Sequence, residues 1–249
     1  VASTEVRGAK ERIDTALDGD AVAPPAVASS SAPVPQNGIA VRGLDVSLGG
    51  REILRDEDLE VRRGERVALV GASGVGKSVL TRVALGLQAP DDGTATIDGR
   101  SALDMDEVER AGLVCWAPQD PYLFPLSIAE NVRIAAPGAG DDAVETALRR
   151  VGAGPWIDRL PAGIHTRVGE FGARCSGGER QRIGLARVAL SPATFAVLDE
   201  PASHLPRDEV HAAIEGAVAG RADRGLLLVT HHRDELDLVD RVVSLDPEG

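Results

Sequence analysis

Residues 71–78, Gly-Ala-Ser-Gly-Val-Gly-Lys-Ser, constrain the fold of this chain more than any other stretch. They follow an apolar segment that predicts a strand, and residues 77–87 after them have the pattern of a helix. Glycines let successive backbone N–H groups point inward, and the start of the helix adds partial positive charge. Lys77 is then placed to reach the outer phosphates of a nucleotide, and Ser78 to offer a hydroxyl to Mg²⁺. We therefore predict a phosphate loop at residues 71–78.

The residue type at position 77 supports this prediction. Lys77 is one of only two lysines, the other being Lys10, in a chain that otherwise uses arginine for positive charge. Lysine presents a compact point charge rather than a planar fork, which suits direct contact with a phosphate group.

A second pattern places acidic residues where a phosphate loop needs them. Asp199 and Glu200 directly follow an apolar run that predicts a buried strand. Taken alone, two adjacent carboxylates could equally begin a turn. With the phosphate loop upstream, we predict that Asp199 holds Mg²⁺ through water and that Glu200 orients or deprotonates the attacking water.

The rest of the pattern after Gly38 predicts an α/β fold. Apolar runs at residues 194–200 and 225–231 lie between helical segments, which is typical of strands buried on both faces of a largely parallel sheet. The region of about residues 120–190 is mostly helical in pattern. We predict one domain over residues 38–249 with a helical subdomain at about 120–190, which the resemblance described below identifies as an ATPase domain.

Residues 1–37 have a different composition. Residues 5–17 place apolar side chains on one helical face, and residues 20–37 are rich in Ala, Pro and Ser, as linkers are. The helix could be a surface helix or the end of a longer one. The chain starts without Met or a signal-peptide profile, so we expect it to be a piece of a longer protein.

Composition excludes several classes of function. The formal net charge of -12 argues against binding along a nucleic-acid backbone, which depends on basic side chains. Two cysteines, Cys115 and Cys175, are too few for a disulfide framework or a zinc cluster. No apolar run approaches the roughly 18 residues needed to cross a bilayer.

A third pattern, Ser176-Gly177-Gly178, stands directly before a predicted helix. A serine hydroxyl and glycine N–H groups at a helix start form an anion site. By itself the pattern is better explained as an ordinary helix cap with flexible glycines.

Five segments together resemble the ATPase cassette of ABC transporters: residues 71–78, 117–120, 175–182, 197–201 and 227–232. They occur in the order and approximate spacing of that family, and the resemblance covers nearly everything after residue 38. It implies a P-loop NTPase of the ABC type, with a mostly parallel core sheet, an antiparallel β subdomain and a helical subdomain. It also implies ATP and Mg²⁺ as ligands.

The resemblance further implies roles for individual residues. A second cassette would complete the site, with this chain's signature turn, residues 175–179, closing over the partner's ATP in a head-to-tail dimer. His231 would contact the γ-phosphate, and Gln119 would sense Mg²⁺ and move with a membrane domain. The implied ATP-binding residues are Leu48, Gly71, Ala72, Ser73, Gly74, Val75, Gly76, Lys77, Ser78 and Val79. The implied metal ligands are Ser78, Gln119 and Asp199. The implied catalytic residues are Glu200 and His231. The implied signature residues, which would contact the partner's ATP, are Cys175, Ser176, Gly177, Gly178 and Glu179.

Two stretches resemble exporters in particular. Residues 165–179 resemble the segment that meets the intracellular loops of exporters, with Glu170 as the implied contact, and residues 123–139 resemble the stretch that follows the glutamine. Residues 130–139, 200–206 and 235–246 look most like the cassette of the bacterial thiol (cysteine and glutathione) exporter of cytochrome bd assembly. The resemblance implies a membrane-domain partner outside this chain and a location at the cytoplasmic face of the inner membrane.

The chain departs from the family pattern at three positions. Leu48 stands where an aromatic ring usually stacks on adenine, Cys175 replaces the usual Leu, and Pro206 replaces an Asp that helps to couple the two sites. We expect ATP to bind through its phosphates, with a relaxed preference for the base. We also expect this chain's own site to hydrolyse ATP and the site completed by its signature to be slower.

Three alternatives stay open at this point. One is a soluble ABC-type ATPase acting on nucleic acid or ribosomes, against which net acidity, the segment around Glu170 and the linker all argue. Another is a catalytically weak regulatory cassette, suggested by Leu48 and Pro206. A kinase with a phosphate loop would leave the Ser176-Gly177-Gly178 turn without a role.

Overall fold

The computed structural model describes residues 37–245, which form two compact units. The first unit contains residues 37–110 together with 229–245, and the second contains residues 111–228. The helix and linker predicted for residues 1–37 lie outside the described residues, apart from Asn37.

An antiparallel sheet occupies the N-terminal part of the first unit. Strands β1 (Gly38–Leu48) and β2 (Arg51–Arg62) form a hairpin, whose turn places Gly49 and Gly50 at φ values of 61° and 80°. Two-residue hairpins favour glycine at such left-handed positions. Strand β4 (Asp92–Ile97) pairs with β1, and the short β5 (Arg100–Ser101) pairs with β4, so the order is β2-β1-β4-β5.

A parallel strand pair carries the phosphate loop in the same unit. Strand β3 (Arg66–Gly71) pairs in parallel with β9 (Arg241–Leu245), and Gly71 stands opposite Leu245. Its inner residues, 67–70, are buried. The chain leaves β3 at Gly71 and enters helix α1 (Lys77–Ala84) six residues later, which confirms the predicted strand-to-helix turn.

The second unit contains parallel strands of its own. Helix α2 (Glu107–Leu113) leads into β6 (Val114–Ala117), which pairs in parallel with β7 (Phe195–Asp199). Strand β8 (Gly225–Val229) is the next neighbour of β7, and every residue of β7 and β8 is buried. The prediction of apolar strands buried on both faces is therefore confirmed.

Helices surround these strands in the second unit. They are α3 (Ile128–Arg133), α4 (Asp141–Arg150), α5 (Gly154–Ile157), α6 (Gly177–Leu190) and α7 (Arg207–Val218). A buried arginine fixes the end of α6 near the start of β7: the Arg224 guanidinium donates hydrogen bonds to the carbonyl oxygens of Val188 at 2.8 Å and Ala193 at 3.2 Å. Because its carbonyl partners are buried, this contact holds α6 in one position. The N-terminus of α6 is the predicted signature turn.

Candidate functional site

The phosphate loop has a backbone that only glycine tolerates at its two ends. Gly71 has φ of 152°, and a Cβ there would lie 2.5 Å from the carbonyl oxygen of Leu245. Gly76 has φ of 114°, and a Cβ there would lie 2.6 Å from Cδ2 of Leu54. Neither position has room for a side chain, since a real Cβ does not approach other atoms that closely. The tight loop brings its peptide groups to the start of α1.

The start of α1 is open to a ligand. Gly76 is its N-cap and offers no side-chain acceptor, and no acidic residue lies in the first turn. The first N–H groups of a helix have no partner within the helix, so they are available to an anion. Ser78 lies exposed in this first turn, as a residue that offers a hydroxyl to a ligand must.

Lys77 crosses the base of the loop. Its ammonium group donates hydrogen bonds to the carbonyl oxygens of Gly71 at 2.8 Å and Ala72 at 3.0 Å, while the residue is only 8% exposed. Both acceptors belong to the phosphate loop, so the ammonium group of Lys77 lies against the backbone of the loop. The predicted contact of Lys77 with the outer phosphates stays a prediction.

Leu48 lies at the tip of the β1–β2 hairpin, paired with Arg51, and is 45% exposed. The same hairpin contacts the phosphate loop, because the side chains of Ile53 and Leu54 border Gly76. The first unit contains no Phe, Tyr or Trp, since the first aromatic residue of the chain is Trp116 and none follows Phe195. No aromatic ring of this unit is therefore available to stack on a base, as the sequence predicts.

His231 lies at the same edge of the first unit as the phosphate loop. The backbone N–H of Thr230 donates a hydrogen bond to the carbonyl oxygen of Leu69, two residues before β3 ends. The following His231 is exposed, and its ring lies against His232 with 4.0 Å between ring centroids. Its predicted role toward the γ-phosphate stays a prediction.

The carboxylates predicted to hold Mg²⁺ and to act on water, Asp199 and Glu200, lie at the carboxyl end of β7 in the second unit. Asp199 is the last residue of β7 and is buried. Glu200 follows with φ of 49°, a left-handed backbone conformation that residues other than glycine rarely adopt. Such strain is concentrated at functional sites. Gln119 ends up beside these residues because Ala117 of β6 stands opposite Leu198 of β7. Two residues further along the chain, these positions lead to Gln119 and Glu200, just past the ends of the two strands.

Ser203 connects Gln119 to Glu200. Its hydroxyl donates to the carbonyl oxygen of Glu200 at 2.9 Å and accepts a long hydrogen bond from Nε2 of Gln119 at 3.5 Å. The Ser203 N–H also donates to the same carbonyl at 3.2 Å. The sequence analysis misses Ser203, although a serine three residues after a turn residue is a signal of local hydrogen bonding to the backbone.

The signature turn begins α6 with a complete capping box. The Glu179 N–H donates to Oγ of Ser176 at 3.3 Å, and the Glu179 carboxylate accepts from the Ser176 N–H at 2.8 Å. Ser176 therefore caps the helix, as in the second of the two explanations that the sequence allows for this turn. The cap does not exclude an anion, because Ser176 is exposed and the Gly177 and Gly178 N–H groups belong to the first turn, where no intrahelical acceptor exists.

Glu170 is exposed and stands beside a cluster of exposed aromatic rings. Phe171 is 69% exposed, and its ring packs edge-on against Tyr122, which packs edge-on against Phe124. The centroid distances are 5.8 Å and 4.9 Å. We call Tyr122, Phe124 and Phe171 the aromatic patch. The sequence analysis misses it, because residues 122 and 171 meet only in the folded chain.

Cys175 is a half-buried thiol beside this turn. Burial and, to a smaller extent, the negative charge of Glu179 raise its pKa to about 11, and Arg180 opposes the shift. The proton is therefore held on sulfur throughout the neutral pH range.

We expect Cys175 to react slowly with iodoacetamide at pH 7. A pKa about two units above the ordinary 9.0 leaves a roughly hundredfold smaller thiolate fraction. The rate should rise about tenfold per pH unit between pH 7 and 9. Mass spectrometry of the alkylated Cys115→Ser variant, whose only thiol is Cys175, measures it. A rate that reaches a plateau below pH 9 would contradict the buried thiol.

A family model and individual relatives both match this chain to ABC transporters. The family model described as "ABC transporter" matches residues 54–203. The mycobactin import ATP-binding/permease protein IrtB of Mycolicibacterium smegmatis is 34% identical over 243 residues, which are 96% of this chain and 42% of IrtB. The glutathione/L-cysteine transport system ATP-binding/permease protein CydD of Bacillus subtilis is 36% identical over 196 residues, 78% of this chain and 34% of CydD.

A solved structure agrees with these relatives. The structure of a bacterial Atm1-family ABC exporter with ATP bound matches with a TM-score of 0.79 and 27% identity, covering 90% of this chain and 40% of that one. The chain thus spans well under half the length of the proteins it matches. None of the helices among residues 37–245 has both the length and the apolar character required to cross a bilayer.

Proposed function

This chain belongs to the ABC transporter family, and from that premise we propose that it is the ATP-hydrolysing cassette of an exporter. ATP binding closes a head-to-tail pair of cassettes, and hydrolysis reopens it to drive a membrane domain. The observation that carries the proposal is the strained Glu200 at the end of buried β7, with Ser203 fixing its backbone. A regulatory cassette without hydrolysis has no need of a carboxylate held in this conformation.

The first unit supplies the grip on the triphosphate. The first-turn N–H groups of α1 bind the phosphate oxygens, and Lys77 turns from the carbonyls of Gly71 and Ala72 to the outer phosphates. Without an aromatic ring near Leu48, the phosphates rather than the base provide most of the affinity. His231 follows the strand beside this loop and contacts the γ-phosphate.

The second unit supplies the groups that act on water. Glu200 accepts a proton from the attacking water or orients it, as a general base does. Gln119 is joined to Glu200 through Ser203, so a displacement of Gln119 changes the position of the Glu200 backbone. Water positioning in this chain thereby responds to the segment that carries Gln119.

The donor atoms fit Mg²⁺. The Ser78 hydroxyl, the Asp199 carboxylate and the Gln119 amide provide oxygen atoms, the ligands that this small, hard cation prefers. Asp199 is 7% exposed and is the last residue of β7, and its carboxylate is the negatively charged member of this donor set. Bound there, Mg²⁺ would neutralise negative charge on the outer phosphates.

A second cassette completes the site through the signature turn. The exposed Ser176 hydroxyl and the N–H groups of the half-buried Gly177 and Gly178 form an anion site at the start of a helix of 14 residues. The γ-phosphate of the partner's ATP is the anion we assign to it. The partner cassette is either a second copy or a different chain.

The membrane domain contacts Glu170 and the aromatic patch. A rim of exposed rings around a charged residue is typical of a protein interface, since aromatic side chains are enriched there. IrtB and CydD are named ATP-binding/permease proteins, and this chain matches only part of each. We therefore place the cassette at the cytoplasmic face of the inner membrane, held by a permease domain. The similarity to an Atm1-family exporter and the segment around Glu170 favour export, while the transported molecule is set by that domain.

Nucleotide retention tests the shared site. In the assembled transporter carrying Glu200→Gln, Ser176→Arg places a long cationic side chain where the partner's phosphate enters. We expect ATP retained after rapid desalting to fall at least about tenfold, since loss of a charge-assisted contact costs about 1.5–3 kcal/mol.

The matched control is Ser101→Arg, which adds the same side chain at an exposed serine of β5. It should retain ATP like its parent. Equal retention in the Ser176→Arg and Ser101→Arg proteins would remove the signature turn from the nucleotide site.

A further inference from the structure

His204 packs directly on the two glycines of the signature turn. A Cβ placed on Gly177 would lie 2.6 Å from Cδ2 and 3.0 Å from Cγ of the His204 ring. A Cβ placed on Gly178 would lie 2.9 Å from the His204 carbonyl oxygen. The ring of one residue and its own backbone therefore cover both glycines.

These contacts explain why the turn carries glycine. Gly177 and Gly178 both belong to α6, and neither has the positive φ that by itself favours glycine. The backbone would accept any residue there. A side chain is excluded because His204 occupies the space. At Gly177 the obstructing group is the His204 ring, and at Gly178 it is the His204 carbonyl oxygen.

His204 belongs to the same short turn as Glu200. The Glu200 carbonyl oxygen accepts hydrogen bonds from the N–H and the hydroxyl of Ser203, and the Leu205 N–H donates to the Ala202 carbonyl at 3.0 Å. Leu205 is 8% exposed, which anchors the end of the turn in the core. The turn from Glu200 to Leu205 is thus a closed hydrogen-bonded unit that meets the start of α6 through His204.

We propose that His204 is a positioning residue that transmits occupancy of the signature turn to Glu200. The inference rests on the proposed function, in which the partner's nucleotide binds at Ser176 and Gly177. Phosphate bound there restrains the Gly177 backbone, the ring resting on it restrains the turn, and Ser203 passes the restraint to the Glu200 carbonyl. Pro206, directly after this turn, has no polar side-chain group for such a link.

Cooperativity of ATP hydrolysis in the assembled transporter is the functional readout. We expect a wild-type Hill coefficient above about 1, falling to about 1 in His204→Ala, because the second nucleotide no longer affects Glu200. His204→Phe keeps a planar ring on Gly177 and should retain the wild-type value. Loss of cooperativity in the Phe variant, or its survival in the Ala variant, would overturn the inference, as would a non-cooperative wild type.

A double-mutant cycle tests the contact through the thermal unfolding midpoint of the chain. Gly177→Ala should lower the midpoint because its methyl group meets the His204 ring, and adding His204→Ala should restore most of that loss. Gly178→Ala is the matched control, since the obstructing atom is a backbone oxygen that His204→Ala leaves in place. If adding His204→Ala restores the unfolding midpoint equally in both glycine variants, or in neither, the His204 ring does not fill the space above Gly177.

The proposed function and this inference fail in different ways. If Glu200→Gln still hydrolyses ATP at the wild-type rate, the proposed function is wrong and the inference fails with it. If Glu200→Gln and Ser176→Arg behave as expected while His204→Ala stays fully cooperative, only the role of His204 is overturned.

Discussion

Replacing Glu200 with Gln lowers steady-state ATP hydrolysis by about 10²–10⁴-fold, the range that a positioned general base contributes. The amide has nearly the same shape as the carboxylate but cannot accept a proton from water. The residue keeps its place after β7 because Ser203 donates two hydrogen bonds to its backbone carbonyl oxygen. Release of inorganic phosphate by the purified assembly at saturating ATP and Mg²⁺ measures the effect.

Two comparisons sharpen this prediction. Glu107→Gln makes the same chemical change at an exposed position in the first turn of α2 and should hydrolyse ATP at the wild-type rate. The Glu200→Gln protein should still bind ATP, because the phosphate loop is intact. Undiminished turnover in Glu200→Gln would remove Glu200 from the catalytic step, and turnover lost together with ATP binding would indicate a folding defect.

Local patterns predict the elements that hold the phosphate loop and the signature turn. Strands β3, β7 and β8 are apolar runs bounded by glycine, acidic residues or polar turns, and the structure buries them as expected. Helices α1 and α6 follow glycine-rich turns, where capping and periodicity agree. Each of these signals is complete within about ten to twenty consecutive residues.

Strands β6 and β9 escape prediction for a physical reason. Val114–Ala117 has only four residues, too few for a period to be recognised, and β9 alternates little in exposure. Both are strands because of parallel partners far away in sequence: β7 for one and β3 for the other. Pairing of this kind depends on tertiary structure, which local propensity does not encode.

The same limit applies to the site. Gln119 could be paired with Asp199 and Glu200 only through family resemblance, and in the structure the register of β6 against β7 accounts for their proximity. The contact between Gly177 and His204 spans 27 positions of the chain and has no sequence signal beyond the two glycines themselves. Residues that act through packing are therefore the ones that sequence patterns fail to predict.

Replacing Lys77 with Ala should weaken ATP binding by about a hundred- to a thousandfold. The ammonium group makes two hydrogen bonds within the phosphate loop, at 2.8 Å and 3.0 Å, and is positioned to exchange them for phosphate oxygens. A hydrogen bond to a charged group contributes about 1.5–3 kcal/mol, so losing two of them costs about 3–4 kcal/mol after partial compensation by water. At about 1.4 kcal/mol per factor of ten, this loss gives the expected range. Calorimetric titration of the purified chain with ATP and Mg²⁺ measures it.

Lys10→Ala is the matched control, because it removes the only other lysine and the same unit of charge outside the loop. It should bind ATP with wild-type affinity, which separates a local contact from a general effect of net charge. Lys77→Arg adds a stricter test: it keeps the charge but places a wide planar group where the native side chain is only 8% exposed, so we expect binding to stay weak. Wild-type affinity in Lys77→Ala, with circular dichroism unchanged, would mean that ATP is not held by residues 71–78. The role proposed for Glu200 would then lose its premise, because that role requires ATP bound by residues 71–78.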